Sequence, residues 1–234
     1  MKEPVEFLYD KYGVNYKLIE NLVCGQRHFG LMLKNGSIGV CSTLKQSYTV
    51  KPEILAKPDF SNISHRILLN AYFNAIINGN NIDEQYFYGD IFQAIDFKKY
   101  SNIVMIGLFR PLVKKFNDAG IPVSVFDKIE KEPPVLPDDL QINFVKKSDA
   151  LIITATTFFN CTFTEIIENT DKCDVFILGP SAIISNDIFN YKNVKAIFGS
   201  VFRPFDKDVL QIIKAGYGTK TFAPRANKVY ILNQ

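Results

Sequence analysis

Residues 154–163 of the sequence, TATTFFNCTF, combine hydroxyl groups, an amide and a thiol directly after a run of branched apolar residues. Three interpretations of this stretch compete. Asn160-Cys161-Thr162 fits the acceptor pattern for N-glycosylation. Cys161 could instead bind a soft metal ion through its thiolate. The third interpretation is a ligand-binding turn between a strand and a helix, whose hydroxyl and amide groups bond to a polar ligand.

Two other short stretches carry residue types that suit a ligand. Gly107-Leu108-Phe109-Arg110-Pro111 and Gly179-Pro180-Ser181 each follow an apolar run, and Asp127 ends another. A glycine lets a ligand approach the backbone, the start of a helix attracts anions, and an acid at a strand end can bond to a ribose hydroxyl. The predicted ligand-binding residues are Gly107, Arg110, Asp127, Thr156, Thr157, Asn160, Gly179, Pro180 and Ser181. Cys161 is the predicted metal ligand.

Several of these residues also have a simpler structural explanation. Gly107 could serve only a tight strand-to-helix turn, and Asp127 could be a solvated turn carboxylate. Gly179-Pro180 is ordinary turn chemistry. These alternatives stay open at the level of sequence.

Within residues 154–163 the side chains are expected to divide by role. A side-chain oxygen of Asn160 or Thr162 could cap the following helix, and Thr162 is the better placed of the two. We therefore expect Thr157 and Asn160 to direct polar atoms towards the ligand. Phe158 and Phe159 are expected to be apolar walls that anchor the turn or face the neighbouring domain.

The sequence argues against several familiar kinds of site. It has no three-glycine dinucleotide fingerprint, so NAD is not expected. No G-x-S-x-G motif surrounds Ser181, and no C-x-x-C or H-x-x-x-H spacing supplies a local metal site. Gly218-Thr219-Lys220-Thr221 is similar to the end of a phosphate-binding loop, but it precedes a predicted strand rather than a helix. The two histidines, His28 and His65, are predicted at a turn and on the surface.

Composition limits the partners and the compartment. The chain has 234 residues, 47% of them apolar, and a net charge of +3. Basic pairs such as Lys98-Lys99 are scattered rather than clustered, so a nucleic-acid partner is not expected. No apolar run approaches the length of a membrane span, and residues 1–13 lack the apolar core of a signal peptide. Four widely separated cysteines fit a reducing cytoplasm, which argues against glycosylation of Asn160.

The first half of the sequence predicts an α+β order. A helix is expected at residues 4–12, then strands at 16–24, 29–33 and 37–43, with Asn35-Gly36 as the hairpin turn between the last two. Apolar residues spaced by three and four predict a helix over 64–78 that ends at Gly79. A shorter helix begins after its predicted cap, Asp90.

From residue 102 onward the pattern is one of strands that alternate with helices. Alternation of this kind predicts right-handed crossovers and a mostly parallel, Rossmann-like sheet. The expected strands cover residues 102–108, 123–127, 150–154, 175–178, 194–198 and 228–232. Because ligands bind beyond the carboxyl ends of parallel strands, the turns that begin at Gly107, Thr154 and Gly179 should lie together.

Longer stretches of the sequence resemble a prokaryotic heavy-metal-chelation family of unknown function. The resemblance is carried by GQRHFGLML and GSIGVCSTL in the first half, and by IGLFRPLVKKF (106–116), SDALIITATTFFNCTF (148–163) and VFILGPSAII (175–184) in the second. Its most specific parts are Thr-x-x-Asn-x-Thr at 157–162 and Leu-Gly-Pro-Ser at 178–181. The chain departs from the family at Ala215 and Tyr217, where glycines are expected, and at Leu108, where histidine is frequent.

The resemblance implies an α/β protein of two domains. Residues 1–100 would form a small α+β, enolase-N-terminal-like domain, and residues 101–234 a three-layer Rossmann-like domain. We predict that the two domains meet at a cleft on the carboxyl edge of the second sheet, which binds a small polar or anionic molecule or a metal chelate. The alternative is an enzyme, such as a transferase, that acts on a nucleotide-like or pterin-like substrate. A divalent or heavy metal as cofactor and a homo-oligomeric state both stay open.

Overall fold

The computed structural model describes residues 1–80 and 86–233. The first part begins with helix α1 (Pro4–Tyr12) and continues with an antiparallel sheet in the order β1-β2-β3 and a long helix, α2. The bounds are β1 Ile19–Cys24, β2 His28–Leu33, β3 Ile38–Ser42 and α2 Ile63–Asn80. The predicted small α+β part with a hairpin is therefore confirmed.

Two predicted boundaries in this part are wrong. Tyr16–Leu18 form a single 3-10 turn, so strand β1 starts only at Ile19. Helix α2 continues past Gly79 instead of ending there. A Cβ atom at Gly79 would lie 2.3 Å from the hydroxyl oxygen of Ser37, so the missing side chain lets the helix pack closely against the hairpin.

Helix α2 also touches the sheet at strand β3. A Cβ atom at Gly39 would lie 2.0 Å from the backbone oxygen of Ala71. Only a glycine leaves room for strand and helix backbones to approach this closely. The first sheet is therefore fixed against one face of α2.

The second part is a seven-stranded sheet in the order β4-β10-β9-β8-β7-β5-β6, with helices between its strands. Strands β5 to β9 run parallel, and β10 is antiparallel to β9 and β4. The strands are β4 Phe87–Tyr88, β5 Ile103–Ile106, β6 Ser124–Phe126, β7 Ala150–Thr154, β8 Asp174–Leu178, β9 Val194–Phe202 and β10 Ala226–Leu232. The helices are α3 Ile91–Ala94, α4 Arg110–Asp118, α5 Gln141–Lys147, α6 Thr157–Asn160, α7 Phe163–Glu168, α8 Lys207–Lys214 and α9 Thr219–Phe222. The predicted mostly parallel sheet is confirmed.

Apolar side chains from both parts form a shared core. Phe29 on β2, Leu68 on α2, Phe158 on α6 and Ile177 on β8 are fully buried in the same cluster. Strand β4, which precedes residue 100, pairs with β10 in the second sheet. The division into domains at residue 100 stays a prediction. Within the described residues, none of the helices has the length and apolarity needed to cross a membrane.

Candidate functional site

A cavity of about 150 Å³ lies at the carboxyl ends of β7 and β8, where the first sheet meets the second. The first sheet contributes two paired residues, His28 at the start of β2 and Ser42 at the end of β3. The second part contributes Phe109, Thr154, Ala155, Thr156, Gly179, Pro180, Ser181 and Thr219. Four of the predicted ligand residues, Thr156, Gly179, Pro180 and Ser181, are thus brought together.

The turn after β8 places Ser181 between the two sheets. Gly179 has a φ of 134°, a conformation that residues with side chains rarely adopt. Ser181 is buried, and its hydroxyl oxygen accepts a hydrogen bond from the backbone N–H of Ser42 at 3.0 Å. The serine therefore links the two sides of the cavity through a direct polar contact.

Three buried asparagines on one face of α2 hold this turn in place. The side-chain amide of Asn70 donates to the Ser181 carbonyl at 3.0 Å, and that of Asn74 donates to Pro180 at 3.2 Å. Asn74 and Asn78 both donate to the carbonyl of residue 182, at 2.8 and 3.0 Å. We call these residues, Asn70, Asn74 and Asn78, the asparagine row. Their spacing of four puts them on one side of the helix.

The turn after β7 satisfies its polar groups mostly within itself. Thr156 lines the cavity, and its hydroxyl lies 3.2 Å from that of Thr154. Thr157 is buried, and its hydroxyl donates to the Thr154 carbonyl at 2.8 Å. The Thr157 hydroxyl was expected to face a ligand, but it bonds inside the turn and Thr157 does not line the cavity. Phe158 and Phe159 are fully buried and anchor the turn, as expected.

Asn160 and Thr162 bond to each other. The Thr162 hydroxyl donates to the side-chain oxygen of Asn160 at 2.6 Å. Thr162 immediately precedes α7, at the N-cap position, yet its side chain accepts no hydrogen bond from the helix, so the prediction that it caps the helix is wrong. The structure does not bring Asn160 to the cavity lining.

Cys161 lies apart from the cavity. It adopts a left-handed conformation, with φ 59° and ψ 43°, that reverses the chain between α6 and α7. Partial burial raises the pKa of its thiol, and Arg66 opposes that rise. The predicted metal ligand therefore lies near Arg66 and Glu3 rather than at the carboxyl edge of the sheet.

The three predicted residues of the β5 and β6 ends also lie outside the cavity lining. Gly107 has a φ of 98°, and a Cβ atom there would lie 2.6 Å from the Cβ of Thr154, so this glycine permits close approach to β7. The carboxylate of Asp127 accepts hydrogen bonds from the backbone N–H groups of Leu108 at 2.7 Å and Ile129 at 2.8 Å. Asp127 therefore connects the turn after β5 with the turn after β6. Arg110, the first residue of α4, is exposed.

Sequence reasoning missed the most distinctive residue of the site. His28, predicted at a turn, begins β2, is 8% exposed and lines the cavity. Its Nε2 lies 3.2 Å from the hydroxyl oxygen of Thr219, while its Nδ1 is buried without a hydrogen-bond partner. Burial, and secondly the charge of Arg27, lower the pKa of His28 to about 4. The imidazole is therefore neutral near pH 7 and offers one unused nitrogen.

Thr219 was missed for a related reason. The segment Gly218-Thr219-Lys220-Thr221 was predicted to precede a strand, but it opens the short helix α9 before β10 begins. The ring of Phe222, at the end of α9, meets the His28 ring edge-on, with centroids 4.9 Å apart. The apolar run at 29–33, itself predicted as a strand, begins directly after His28 and was the signal that could have placed His28 on the sheet.

The donors around the cavity do not suit a bare heavy-metal ion. They are one neutral imidazole and several hydroxyls, and within the described part of the chain no carboxylate or thiol lines the cavity. Structural sites for soft metals use three or four thiolate, imidazole or carboxylate ligands. Nowhere among residues 1–80 and 86–233 do three such side chains gather around a common point.

Comparison with known proteins identifies the family of this chain. Residues 90–232, more than half of the chain, match the family DUF364, described as "Putative heavy-metal chelation". The chain belongs to DUF364. Two cavity residues, His28 and Ser42, precede the segment that matches the DUF364 sequences. No curated protein matches the chain.

Two solved DUF364 structures share the fold. A protein of unknown function from Pyrococcus horikoshii is 22% identical, with a TM-score of 0.80 over 92% of this chain and 93% of that one. A second, from Desulfitobacterium hafniense DCB-2, is 17% identical, with a TM-score of 0.77 over 98% of each chain. At these identities the likeness establishes the DUF364 fold and nothing about a ligand.

Proposed function

We propose that this protein binds a small polar molecule in the cavity between its two sheets. The observation that carries the proposal is the neutral imidazole of His28, which is nine-tenths buried and keeps Nδ1 free of any partner. A buried polar atom without a partner costs about 1–3 kcal/mol, and a ligand atom that bonds to it recovers that loss. The hydroxyls of Ser181 and Thr219 supply further polar contacts on two sides of the cavity.

The size of the cavity limits the ligand. Pockets for drug-sized molecules usually measure about 300–1,000 Å³, whereas this cavity measures about 150 Å³. The cavity therefore fits a small molecule or one end of a larger one. Phe109 gives it an apolar wall.

The family description is compatible with this proposal if the metal arrives already chelated. A chelator supplies most of the donors, and the protein then needs to provide hydrogen bonds and at most one nitrogen ligand. A neutral imidazole suits that role, because a protonated ring cannot bind a metal. A bare ion would lack the three ligands that a protein-only site requires.

The test is a thermal-shift screen with anions, small polar metabolites, chelators and their metal complexes. A ligand at about a hundred times its dissociation constant stabilises a protein by roughly 2.7 kcal/mol. We expect a saturable shift in the wild type that is lost in His28→Ala and retained in His65→Ala, the matched histidine control. A ligand that binds both variants as tightly as the wild type would place the site elsewhere.

One observation favours the alternative of an enzyme. His28 Nε2 and the Thr219 hydroxyl lie 3.2 Å apart, within the reach of a base and a nucleophile. A pKa of about 4 makes this imidazole a weak base near pH 7. A nucleotide-like or pterin-like compound that both binds and is converted would favour the enzyme, and conversion should then disappear in Thr219→Val.

A further inference from the structure

We infer that the ligand of this cavity carries a carboxylate or phosphoryl oxyanion and that Arg27 is its counter-charge. The inference rests on the proposed function, since it names the ligand class of the same cavity. Arg27 immediately precedes His28 at the start of β2. It was not among the residues that the sequence singled out for an anion, where Arg110 took that role.

The geometry places Arg27 next to residues that line the cavity. A Cβ atom at Gly218 would lie 3.3 Å from both the Cδ and the Nη1 atoms of Arg27, so the arginine side chain lies directly against that glycine. Gly218 in turn precedes Thr219, which lines the cavity opposite His28. The guanidinium thus lies beside the two segments that carry His28 and Thr219.

The charge of Arg27 is not neutralised locally. Among the described residues Arg27 takes part in no ion pair within 4.0 Å, and those residues place no carboxylate on the cavity wall. The positive charge of Arg27 also lowers the pKa of His28, although burial of the ring has the larger effect. A site with one uncompensated cation, hydroxyl donors and no acid attracts an oxyanion and repels a cation.

Arginine suits this role better than lysine. Its planar guanidinium can donate two parallel hydrogen bonds to one carboxylate or phosphate group. The exposed position of Arg27 leaves the donors that face solvent available.

The two histidines of the chain allow a direct measurement, because ring signals in an NMR spectrum need only be divided between His28 and His65. The probes are inorganic phosphate, acetate and the neutral analogue acetamide. The variants are Arg27→Gln, Arg27→Lys and, as the matched control, Arg110→Gln, each checked for an unchanged melting temperature. Without any probe, Arg27→Gln should raise the pKa of His28, while Arg110→Gln should not.

With the probes, phosphate or acetate should shift the His28 signal saturably in the wild type and leave His65 unchanged. We expect Arg27→Gln to weaken that affinity about tenfold or more, Arg27→Lys to weaken it less, and Arg110→Gln to change it less than about twofold. Stronger binding of phosphate than acetate would identify a phosphoryl group as the source of the charge, and the reverse order a carboxylate.

Two failures are distinguishable. The inference is overturned if acetamide binds while neither anion does, or if the anions bind Arg27→Gln as tightly as the wild type. The proposal that the cavity binds a small polar molecule would survive either result. If none of the probes, nor any compound of the thermal-shift screen, moves the His28 signal, both the inference and the proposed function are overturned.

Discussion

The turn after β7 (residues 155–162) and the turn after β8 (residues 179–185) both carry hydroxyl side chains and both lie at the carboxyl edge of the second sheet. The polar side chains of the β7 turn bond to neighbours two or three residues away. The β8 turn instead bonds to α2 and β3, more than a hundred residues distant. Local composition is therefore a poor guide to which polar atoms face a ligand, because the partners are chosen by the rest of the fold.

The largest effect should come from the asparagine row. Asn74→Ala removes a side chain that accepts from the Val40 N–H and donates to the carbonyls of Pro180 and Ala182. The Val40 N–H and the Pro180 carbonyl lose their partners at about 1–3 kcal/mol each where they are buried, while the Ala182 carbonyl loses one of two bonds and keeps that from Asn78. We therefore expect the free energy of unfolding to fall by about 4 kcal/mol. Urea denaturation measures it. Asn160→Ala, in the β7 turn, is the control and should cost less than about 1 kcal/mol; equal losses would contradict the comparison.

The second prediction concerns pH and the contact between β2 and α9. The pKa of His28 is about 4 in the folded protein and about 6.5 in the unfolded chain. As pH falls below 6.5 the unfolded chain takes up a proton first, so stability is lost down to pH 4 and the full loss is about 3 kcal/mol.

This pH effect is measured by urea denaturation at pH 7.5 and 4.5. His28→Gln should lose less stability than the wild type over that interval, and His65→Gln should behave like the wild type. A His28→Gln variant as sensitive to acid as the wild type would show that other groups control the transition.

A smaller effect is expected inside the β7 turn. Thr157→Val keeps the shape of a buried side chain but removes the hydrogen bond to the Thr154 carbonyl. We expect a loss of about 1 kcal/mol in the free energy of unfolding. Ligand affinity should stay within about twofold, because the Thr157 hydroxyl does not line the cavity. A tenfold loss of affinity at unchanged stability would restore Thr157 as a ligand residue.

The smallest effect is predicted for Thr162→Ala. A side chain that capped α7 would cost about 1 kcal/mol on removal. The Thr162 hydroxyl bonds to Asn160 instead, so the free energy of unfolding should change by less than about 0.5 kcal/mol. Chemical denaturation of Thr162→Ala beside Thr162→Ser, which keeps the hydroxyl, tests this directly.

The sequence predicts the order of elements well, because buried parallel strands are continuous apolar runs and α2 has apolar residues at helical spacing. It also predicts that the turns after β7 and β8 approach one another, since carboxyl ends of parallel strands share an edge. The cap at Asp90 was predicted from local residue types alone, and in the structure Gln93 completes it as a capping box. These features depend on neighbours within a few residues.

The features that could not be predicted depend on distant partners. Gly79 resembles a helix end in the sequence, yet its small size serves contact with Ser37. His28 packs against Phe222 and Thr219, which follow almost two hundred residues later. Its pKa is lowered by burial first and by the charge of Arg27 second. The asparagine row, in contrast, left a signal: three asparagines four residues apart beside an apolar stripe are more regular than a solvated helix face requires.

The asparagine row also decides how the cavity can open. A hinge motion that separated the first sheet and α2 from the β8 turn would break the bonds of Asn70, Asn74 and Asn78 together, at about 1 kcal/mol each for five or more hydrogen bonds. The contact between α2 and the β8 turn should therefore stay closed. If a ligand binds in this cavity, we expect it to enter beside Thr219, where Gly216 and Gly218 flank an exposed Tyr217. The amide N–H groups of Ala182 and Ile184 donate to the Gly179 carbonyl and the Asn78 side chain. In hydrogen exchange we expect these two amides to belong to the slowest class and those of Gly218 and Thr219 to a faster one.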